Sequence, residues 1–265
     1  MPNHQVILTV ISRRPGLKDV QSNVKKSFRE FIAEDESSLI DQKFERFVQD
    51  CSTFFKFWAD MPDNSVLYRG DRDKTGINEF EATDRTIDAP TFEKYDPTKI
   101  VKSGRFPKDT HPKVHNVVNE VFIELFGYPF RDGVMATGSQ SEARSYEPFI
   151  PNTAKSASIF IPANGFVVCY SPSVGDFYGD IVEEYNLHDQ QLEIEDEDEF
   201  KELVKNIIVE DGKYVEGEEH LPDAIDSHNE VMFYPKDGQT LRYYLFSEDF
   251  WYEEVLPRLK KTFHK

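Results

Sequence analysis

The run Ser65–Asp71 (Ser-Val-Leu-Tyr-Arg-Gly-Asp) most constrains how this chain can fold. Its apolar residues follow a Pro62-Asp63-Asn64 turn and lead into Arg69-Gly70, which predicts a short buried strand that carries one guanidinium to a cleft. An arginine fork can bind a phosphate through two hydrogen bonds, and a glycine lets a ligand approach the backbone closely. The alternative interpretation is an Arg69 that forms a surface salt bridge at a sheet edge.

The charge of the chain limits its partners. Its 265 residues carry a formal net charge of −18, which argues against binding along the phosphate backbone of nucleic acid. A ligand with phosphates would need a local positive pocket in this acidic surface. The 22 Phe and 12 Tyr residues predict a globular interior rich in aromatic rings.

The two cysteines, Cys51 and Cys169, are far apart and sit in apolar settings. This pattern predicts free thiols in a reducing compartment and does not match zinc-binding spacing. The first residues lack the charged and apolar regions of a signal peptide, and no apolar run approaches the roughly 18 residues of a membrane span. We therefore expect a soluble cytoplasmic protein without a membrane partner.

Apolar residues at three- and four-residue steps predict two amphipathic helices before Arg69. One stripe runs from Leu17 to Ile32, and the other runs from Ile40 to Trp58 and stops before Pro62. We interpret the aromatic stripe as core packing. Residues 1–64 are predicted to form a helical N-terminal lobe, and residues 65–265 a second domain.

Residues 70–109 are polar and predict a long loop with little regular structure, of the kind that serves as a lid or binding segment. A helix follows, with Asp109 or Thr110 as its N-cap, Pro112 in its first turn and Gly127 as its C-cap.

Residues 133–139 predict a strand that ends in small hydroxylated residues, and Ser139 has capping-box spacing to Glu142. Residues 159–170 predict a β-hairpin with Asn164-Gly165 at the turn. The acidic run 193–199 predicts a solvated segment rather than a metal site, because nothing in it fixes a ligand geometry.

Three motifs occur in a fixed order. Tyr68-Arg69-Gly70 comes first, Gly133–Gly138 follows with Thr137 near its end, and His228-Asn229-Glu230 opens a late apolar strand. Together they resemble the ADP-ribosyltransferases of the arginine–serine–glutamate class, which have Tyr-Arg-Gly, Ser-Thr-Ser and Glu-x-Glu or Gln-x-Glu on three core strands. The resemblance covers about residues 65–246, and phage-encoded members with acidic charge are the most similar type.

The resemblance implies an α+β fold, in which a pair of packed, mainly antiparallel sheets holds NAD in a cleft. NAD would be the co-substrate, and ADP-ribose would pass to a macromolecular acceptor, in the first place a protein. A phage-encoded member would act in the host cytoplasm.

The resemblance also assigns roles to single residues. Glu230 would stabilise an oxocarbenium-like transition state, as a carboxylate does in glycoside hydrolysis. Arg69, with Gly70, would hold the pyrophosphate or adjoining ribose, and Thr137 and Ser139 would position the nicotinamide ribose. Tyr146 or Phe160 would stack on nicotinamide. His228 would lie on the acceptor side.

Each assignment has an alternative. Ser139 can be only a helix cap, and Glu218 in Glu216-Gly217-Glu218 is a second Glu-x-Glu without an apolar strand behind it. We expect Arg105 and Arg131 to have surface roles rather than to bind phosphate.

The departures from the family pattern keep other functions open. His228 cannot pair with a target arginine as a carboxylate does, which puts arginine as the acceptor in doubt. The alternatives are NAD hydrolysis, with water as the acceptor, and a non-catalytic acidic protein that binds a basic surface.

Overall fold

The computed structural model describes residues 41–70, 78–82, 110–145, 157–194, 196–236 and 241–263. The chain divides into two units, Met1–Arg46 and Phe47–Lys265, and all described strands lie in the second. The predicted helix over Leu17 to Ile32 lies outside the described residues. The domain boundary at residue 64 stays a prediction.

The described helices are short apart from one of 15 residues. Residues 41–50 are helical. They are followed by α1 (Ser52–Trp58), α2 (Pro112–Phe126), α3 (Gln140–Ser145), α4 (Leu187–Glu193), α5 (Glu197–Asn206), α6 (Leu221–Ser227), α7 (Glu248–Phe250) and α8 (Leu256–Phe263). Tighter or wider helical turns cover Phe130–Asp132, Tyr178–Glu183, Ile207–Gly212, Glu218–His220 and Trp251–Val255. No described helix is both long enough and apolar enough to cross a bilayer.

Eight described strands form one antiparallel sheet in the order β2-β8-β4-β1-β3-β7-β5-β6. They are β1 (Leu67–Gly70), β2 (Asn78–Ala82), β3 (Val134–Thr137), β4 (Ala157–Pro162), β5 (Phe166–Tyr170), β6 (Val215–Glu216), β7 (Glu230–Pro235) and β8 (Leu241–Phe246). The predicted α+β class with antiparallel strands is confirmed.

The sheet consists of two halves that meet at one residue pair. The first half-sheet is β2-β8-β4-β1 and the second is β3-β7-β5-β6, and Tyr68 of β1 pairs with Thr137 of β3 at the junction. Phe160 of β4 and Phe233 of β7 lie on different halves, yet their ring centroids are 5.2 Å apart. The sheet is therefore folded at the junction, so that the two halves pack face to face with aromatic rings between them.

Helices cover the outer faces of both half-sheets. On the first, Phe47 packs against Tyr244 and Phe246 of β8. On the second, α2 buries Val114, Val118 and Phe122 in one cluster, which also contains Phe177, Phe200, Tyr214 and Met232. The aromatic stripe that ends at Trp58 is core, as its spacing predicted, because Phe54, Phe55 and Trp58 are fully buried.

The predicted hairpin over 159–170 is wrong in its pairing, although both strands exist. β4 pairs with β1 and β8, whereas β5 pairs with β7 and β6. The connection at Asn164 is held elsewhere: its backbone N–H donates to the Asp50 carbonyl at 2.6 Å, and its amide donates to the Gln49 carbonyl at 3.0 Å. The Asn-Gly turn thus carries the chain from one half-sheet to the other.

Two further expectations are corrected. The segment 70–109, which was predicted to have little regular structure, contains the five-residue strand β2, whose residues pair with Leu241–Leu245 of β8. The N-cap of α2 is His111 rather than Asp109 or Thr110, since His111 Nδ1 accepts from the Lys113 N–H at 3.2 Å. Gly127 ends this helix in the left-handed conformation, at φ 85°, as predicted.

The acidic run before α5 has a structural role. Asp196 Oδ1 accepts hydrogen bonds from the backbone N–H groups of Asp198 at 2.9 Å and Glu199 at 3.3 Å. Negative side chains in a first helical turn also interact favourably with the helix dipole. Within the described ranges, no group of three or more His, Cys, Asp and Glu residues is arranged to hold a metal ion.

Candidate functional site

The three sequence motifs lie on three neighbouring strands, β1, β3 and β7. Thr137 pairs with Tyr68 on one side and with Glu230 on the other. Residues that are directly opposite in an antiparallel ladder project from the same face. Thr137 and Glu230, two residues that the sequence assigned to one site, are therefore neighbours on one face of the second half-sheet.

Glu230 is a buried carboxylate with a buried cationic partner. It is 8% exposed, and Arg131 Nη1 donates to its Oε1 at 2.5 Å. The Arg131 guanidinium carbon lies 4.3 Å from the centre of the Phe177 ring, within cation–π range. Burial opposes the charge on Arg131, but Glu230, followed by Tyr214, outweighs it and raises the pKa of the guanidinium.

The Arg131 backbone is fixed by a buried polar network. Its N–H donates to Asn119 Oδ1 of α2 at 3.0 Å. On the same turn, Asp132 Oδ1 lies 2.8 Å from His115 Nε2, and both side chains are about 95% buried. The expected surface role of Arg131 is thus wrong: the residue is 8% exposed and joins the Phe130–Asp132 turn to the start of β7.

A phenol lies next to this ion pair. Tyr214 is buried in the cluster beneath the second half-sheet. Burial, with a further contribution from the negative charge of Glu230, raises the pKa of Tyr214 well above its usual value. Glu230 thus lies beside one buried cation and near one neutral phenol, and the Phe177 ring stacks on that cation.

The turn after β3 is tied to the turn before β7. Thr137 Oγ1 donates to the His228 carbonyl at 2.7 Å and accepts from the Ser139 N–H at 3.1 Å. His228 has a positive φ of 62° and an exposed side chain. Its backbone thus has a defined role, while its imidazole is accessible to a partner molecule.

The packing around position 138 requires a glycine. A Cβ on Gly138 would lie 1.8 Å from the carbonyl oxygen of Ile225 in α6. No side chain fits at that distance without displacing the helix. The glycine therefore follows from the close approach of α6 to the end of β3.

Ser139 caps α3, as its spacing to Glu142 predicted: its Oγ accepts from the Glu142 N–H at 3.3 Å. A second contact joins Ser139 Oγ to Ser141 Oγ at 2.9 Å. The residue thus has the structural role that the sequence offered as its alternative, and its role toward a ligand stays a prediction.

Arg69 lies at the same junction but on the other face of the sheet. Its Nη1 donates to the Met135 carbonyl of β3 at 2.8 Å, and its guanidinium carbon lies 5.9 Å from the Tyr243 ring centre. Tyr68 shares a face with Thr137, so its neighbour Arg69 points to the opposite side. The structure therefore brings Thr137 and Glu230 together on one face and places the Arg69 side chain on the other, while Gly70 ends β1 two residues after Tyr68.

The structure gives a different result for each of the remaining candidate residues. Phe160 is fully buried between the half-sheets, so it is not available to stack on a ligand. Tyr146 and Arg105 lie outside the described residues. Glu218, the second Glu-x-Glu candidate, forms a surface ion pair with Lys236.

Sequence reasoning named Arg131 but assigned it to the surface, and so missed its pairing with Glu230. Its only local signal was a short Phe-Arg-Asp-Gly segment before a strand. Its partner Glu230 is 99 residues away in the chain, so the pairing depends on the sheet order.

No protein-family model, curated protein or solved structure matches this chain.

Proposed function

We propose that the protein transfers ADP-ribose from NAD to a macromolecular acceptor, in the first place a protein. The observation that carries this proposal is the register of Thr137 and Glu230 on adjacent strands β3 and β7, beside the strand that carries Arg69. The folded pair of half-sheets also supports an ADP-ribosyltransferase-like arrangement of the core.

The proposed reaction requires a carboxylate at the position where positive charge develops on the ribose. Cleavage of the bond between nicotinamide and ribose passes through an oxocarbenium-like state, which a fixed carboxylate stabilises. In the proposed site Glu230 has this role, with Thr137 and Ser139 as nearby hydroxyl groups. Arg69 would bind the pyrophosphate from the other side of the junction, and the exposed His228 imidazole would meet the acceptor.

One observation favours a non-catalytic role instead. The Glu230 carboxylate is 8% exposed, and one of its oxygens already accepts from Arg131. A buried ion pair of this kind can have a purely structural role, in which it helps to define the fold and takes no part in catalysis. In that case the acidic surface, with a net charge of −18, would bind a basic partner.

Labelled NAD distinguishes these functions. Wild-type protein is incubated with NAD labelled in its adenylate moiety and a cell lysate, and the label is followed into protein, nucleic acid and free ADP-ribose. We expect label in protein. Glu230→Gln should lower the rate by about 10²- to 10³-fold, as loss of a preorganised charge does in other enzymes.

Glu218→Gln is the matched control, because it also removes a carboxylate from a Glu-x-Glu sequence, and it should leave the rate unchanged. Label that appears only as free ADP-ribose would make the protein an NAD hydrolase. The absence of turnover in the wild type would contradict both enzymatic functions and favour the binding protein.

A further inference from the structure

Glu230 and Arg131 form a buried ion pair in which a single carboxylate oxygen contacts the guanidinium. Both side chains are about 90% buried or more, and the Nη1–Oε1 distance is 2.5 Å. In the described part of the chain, this is the only hydrogen bond of the Glu230 carboxylate, so Oε2 accepts none. One oxygen is thus fixed, and the other has no donor among the residues that the structure describes.

The guanidinium itself is constrained from several directions. The Phe177 ring lies under it at 4.3 Å, and Met232 Sδ lies 3.8 Å from Nη1. Asn119 holds the backbone of the same residue. A planar group with a ring on one face and a carboxylate at one edge has little rotational freedom.

We propose that Arg131 is a positioning residue of the transfer site: it binds Glu230 through Oε1 and leaves Oε2 as the oxygen that meets the substrate. This inference rests on the proposed function. A carboxylate that is already oriented needs no reorganisation when positive charge develops on the ribose. Arg131 would then act on the chemical step, whereas Arg69 would act on NAD binding.

The test compares Arg131→Lys and Arg131→Ala with the wild type, with kcat and the Kd for NAD measured separately. Lysine keeps the charge but loses the fork and the stacked plane, and misplacement of a reacting group by about 1 Å costs roughly 10²-fold in rate. We expect kcat to fall about 10-fold in Arg131→Lys and about 10²-fold in Arg131→Ala. The Kd for NAD should change less than about threefold in either variant.

Arg131→Ala also permits chemical rescue. It leaves a space shaped for a guanidinium, so millimolar guanidinium chloride, far below denaturing concentrations, should restore part of kcat. Methylammonium at the same concentration is the control for ionic strength and should restore less, because it lacks the planar fork.

Phe177→Leu provides a second test of the positioning role if the Arg131 variants fold poorly. It leaves the ion pair in place and removes only the ring beneath the guanidinium, so kcat should fall about twofold to fivefold. Phe200→Leu is its matched control, because Phe200 is fully buried in the same core but belongs to α5. It should lose stability to a similar extent and keep kcat.

Each outcome has a defined meaning. NAD turnover that is unchanged in Arg131→Lys and Phe177→Leu overturns the positioning role and leaves the proposed function intact. The positioning role is also overturned if the Kd for NAD rises as much as kcat falls, or if Phe200→Leu lowers kcat as much as Phe177→Leu does. A wild type that does not consume NAD overturns both the function and the inference.

Discussion

At the scale of single residues, the Arg131–Glu230 pair determines what a substitution at the candidate site will measure. Two buried charges stabilise each other only while both are present. Removal of one leaves the other in the protein interior without the opposite charge that faced it, and this cost is separate from any effect on catalysis. Stability and activity of site variants must therefore be measured together.

The first stability prediction concerns Glu230→Gln. The substitution removes the negative charge that faces the buried Arg131 guanidinium, and it should lower the free energy of unfolding by about 3–5 kcal/mol. The double variant Arg131→Met with Glu230→Met should recover most of this loss, because apolar side chains of similar volume replace both charges. Urea denaturation of the single and double variants measures both quantities.

Glu218→Gln provides the comparison for that experiment. Glu218 and Lys236 form an exposed ion pair, and such pairs contribute about 0–1 kcal/mol. If Glu230→Gln is no less stable than Glu218→Gln, the buried pair does not contribute more to stability than the surface pair does.

A pH effect is expected at the first turn of α2. His111 Nδ1 accepts from the Lys113 N–H, and His188 Nε2 accepts from the His111 N–H at 3.1 Å, so both nitrogens must be unprotonated. Burial, with the charges of His188 and Lys113, lowers the pKa of His111. A lowered folded-state pKa means that the contribution is present above about pH 6.5 and is lost as the pH falls toward the folded-state value.

The corresponding measurement is urea unfolding at pH 7.5, 6.5 and 5.5. Wild-type stability should fall at the lowest pH. His111→Asn should have a weaker dependence on pH, because asparagine is a good N-cap residue that does not titrate. His220→Asn serves as the control and should follow the wild type. Equal slopes for wild type and His111→Asn would exclude this cap as a source of the effect.

At the scale of elements, the close approach of α6 to β3 is the tightest contact at the site. The Ile225 carbonyl occupies the space of a Cβ on Gly138, so Gly138→Ala must move α6 or the end of β3. We expect a loss of more than about 2 kcal/mol in the free energy of unfolding. Gly179→Ala, where the nearest atom is a side-chain oxygen at 3.4 Å, should cost less than about 1 kcal/mol.

A serine at position 138 should be destabilising for the same reason. Thermal unfolding of Gly138→Ala, Gly138→Ser and Gly179→Ala compares the three directly. Similar melting temperatures for all three variants would contradict this prediction, because they would show that α6 can shift at Ile225 without a loss of stability.

Elements that depend on local signals could be predicted from the sequence. Pro112 and Gly127 marked the ends of α2, and Ser139 with Glu142 marked the start of α3. The N-cap of α2 was missed because histidine is not a preferred N-cap residue, whereas the preceding Asp109 and Thr110 resemble preferred ones. Local chemistry thus placed the elements within a few residues.

At the scale of the whole molecule, the pairing between distant strands could not be predicted from the sequence. Asn164-Gly165 is a strong hairpin signal, yet β4 and β5 pair with other strands, and Asn164 binds the Gln49 and Asp50 carbonyls. The burial of Arg131 likewise depends on Glu230 in a strand 99 residues later. Both results follow from the strand order, which no local pattern encodes.

That strand order also has a consequence during synthesis on the ribosome. β3 lies between β1 and β7, and β4 lies between β1 and β8. One pairing partner of β3 and one of β4 are therefore translated much later than the strand itself. At ~5–20 residues per second, several seconds pass between the emergence of β4 and that of β8. The nascent chain therefore exposes open apolar strand edges through most of its elongation, and these edges are the segments that a chaperone would need to shield.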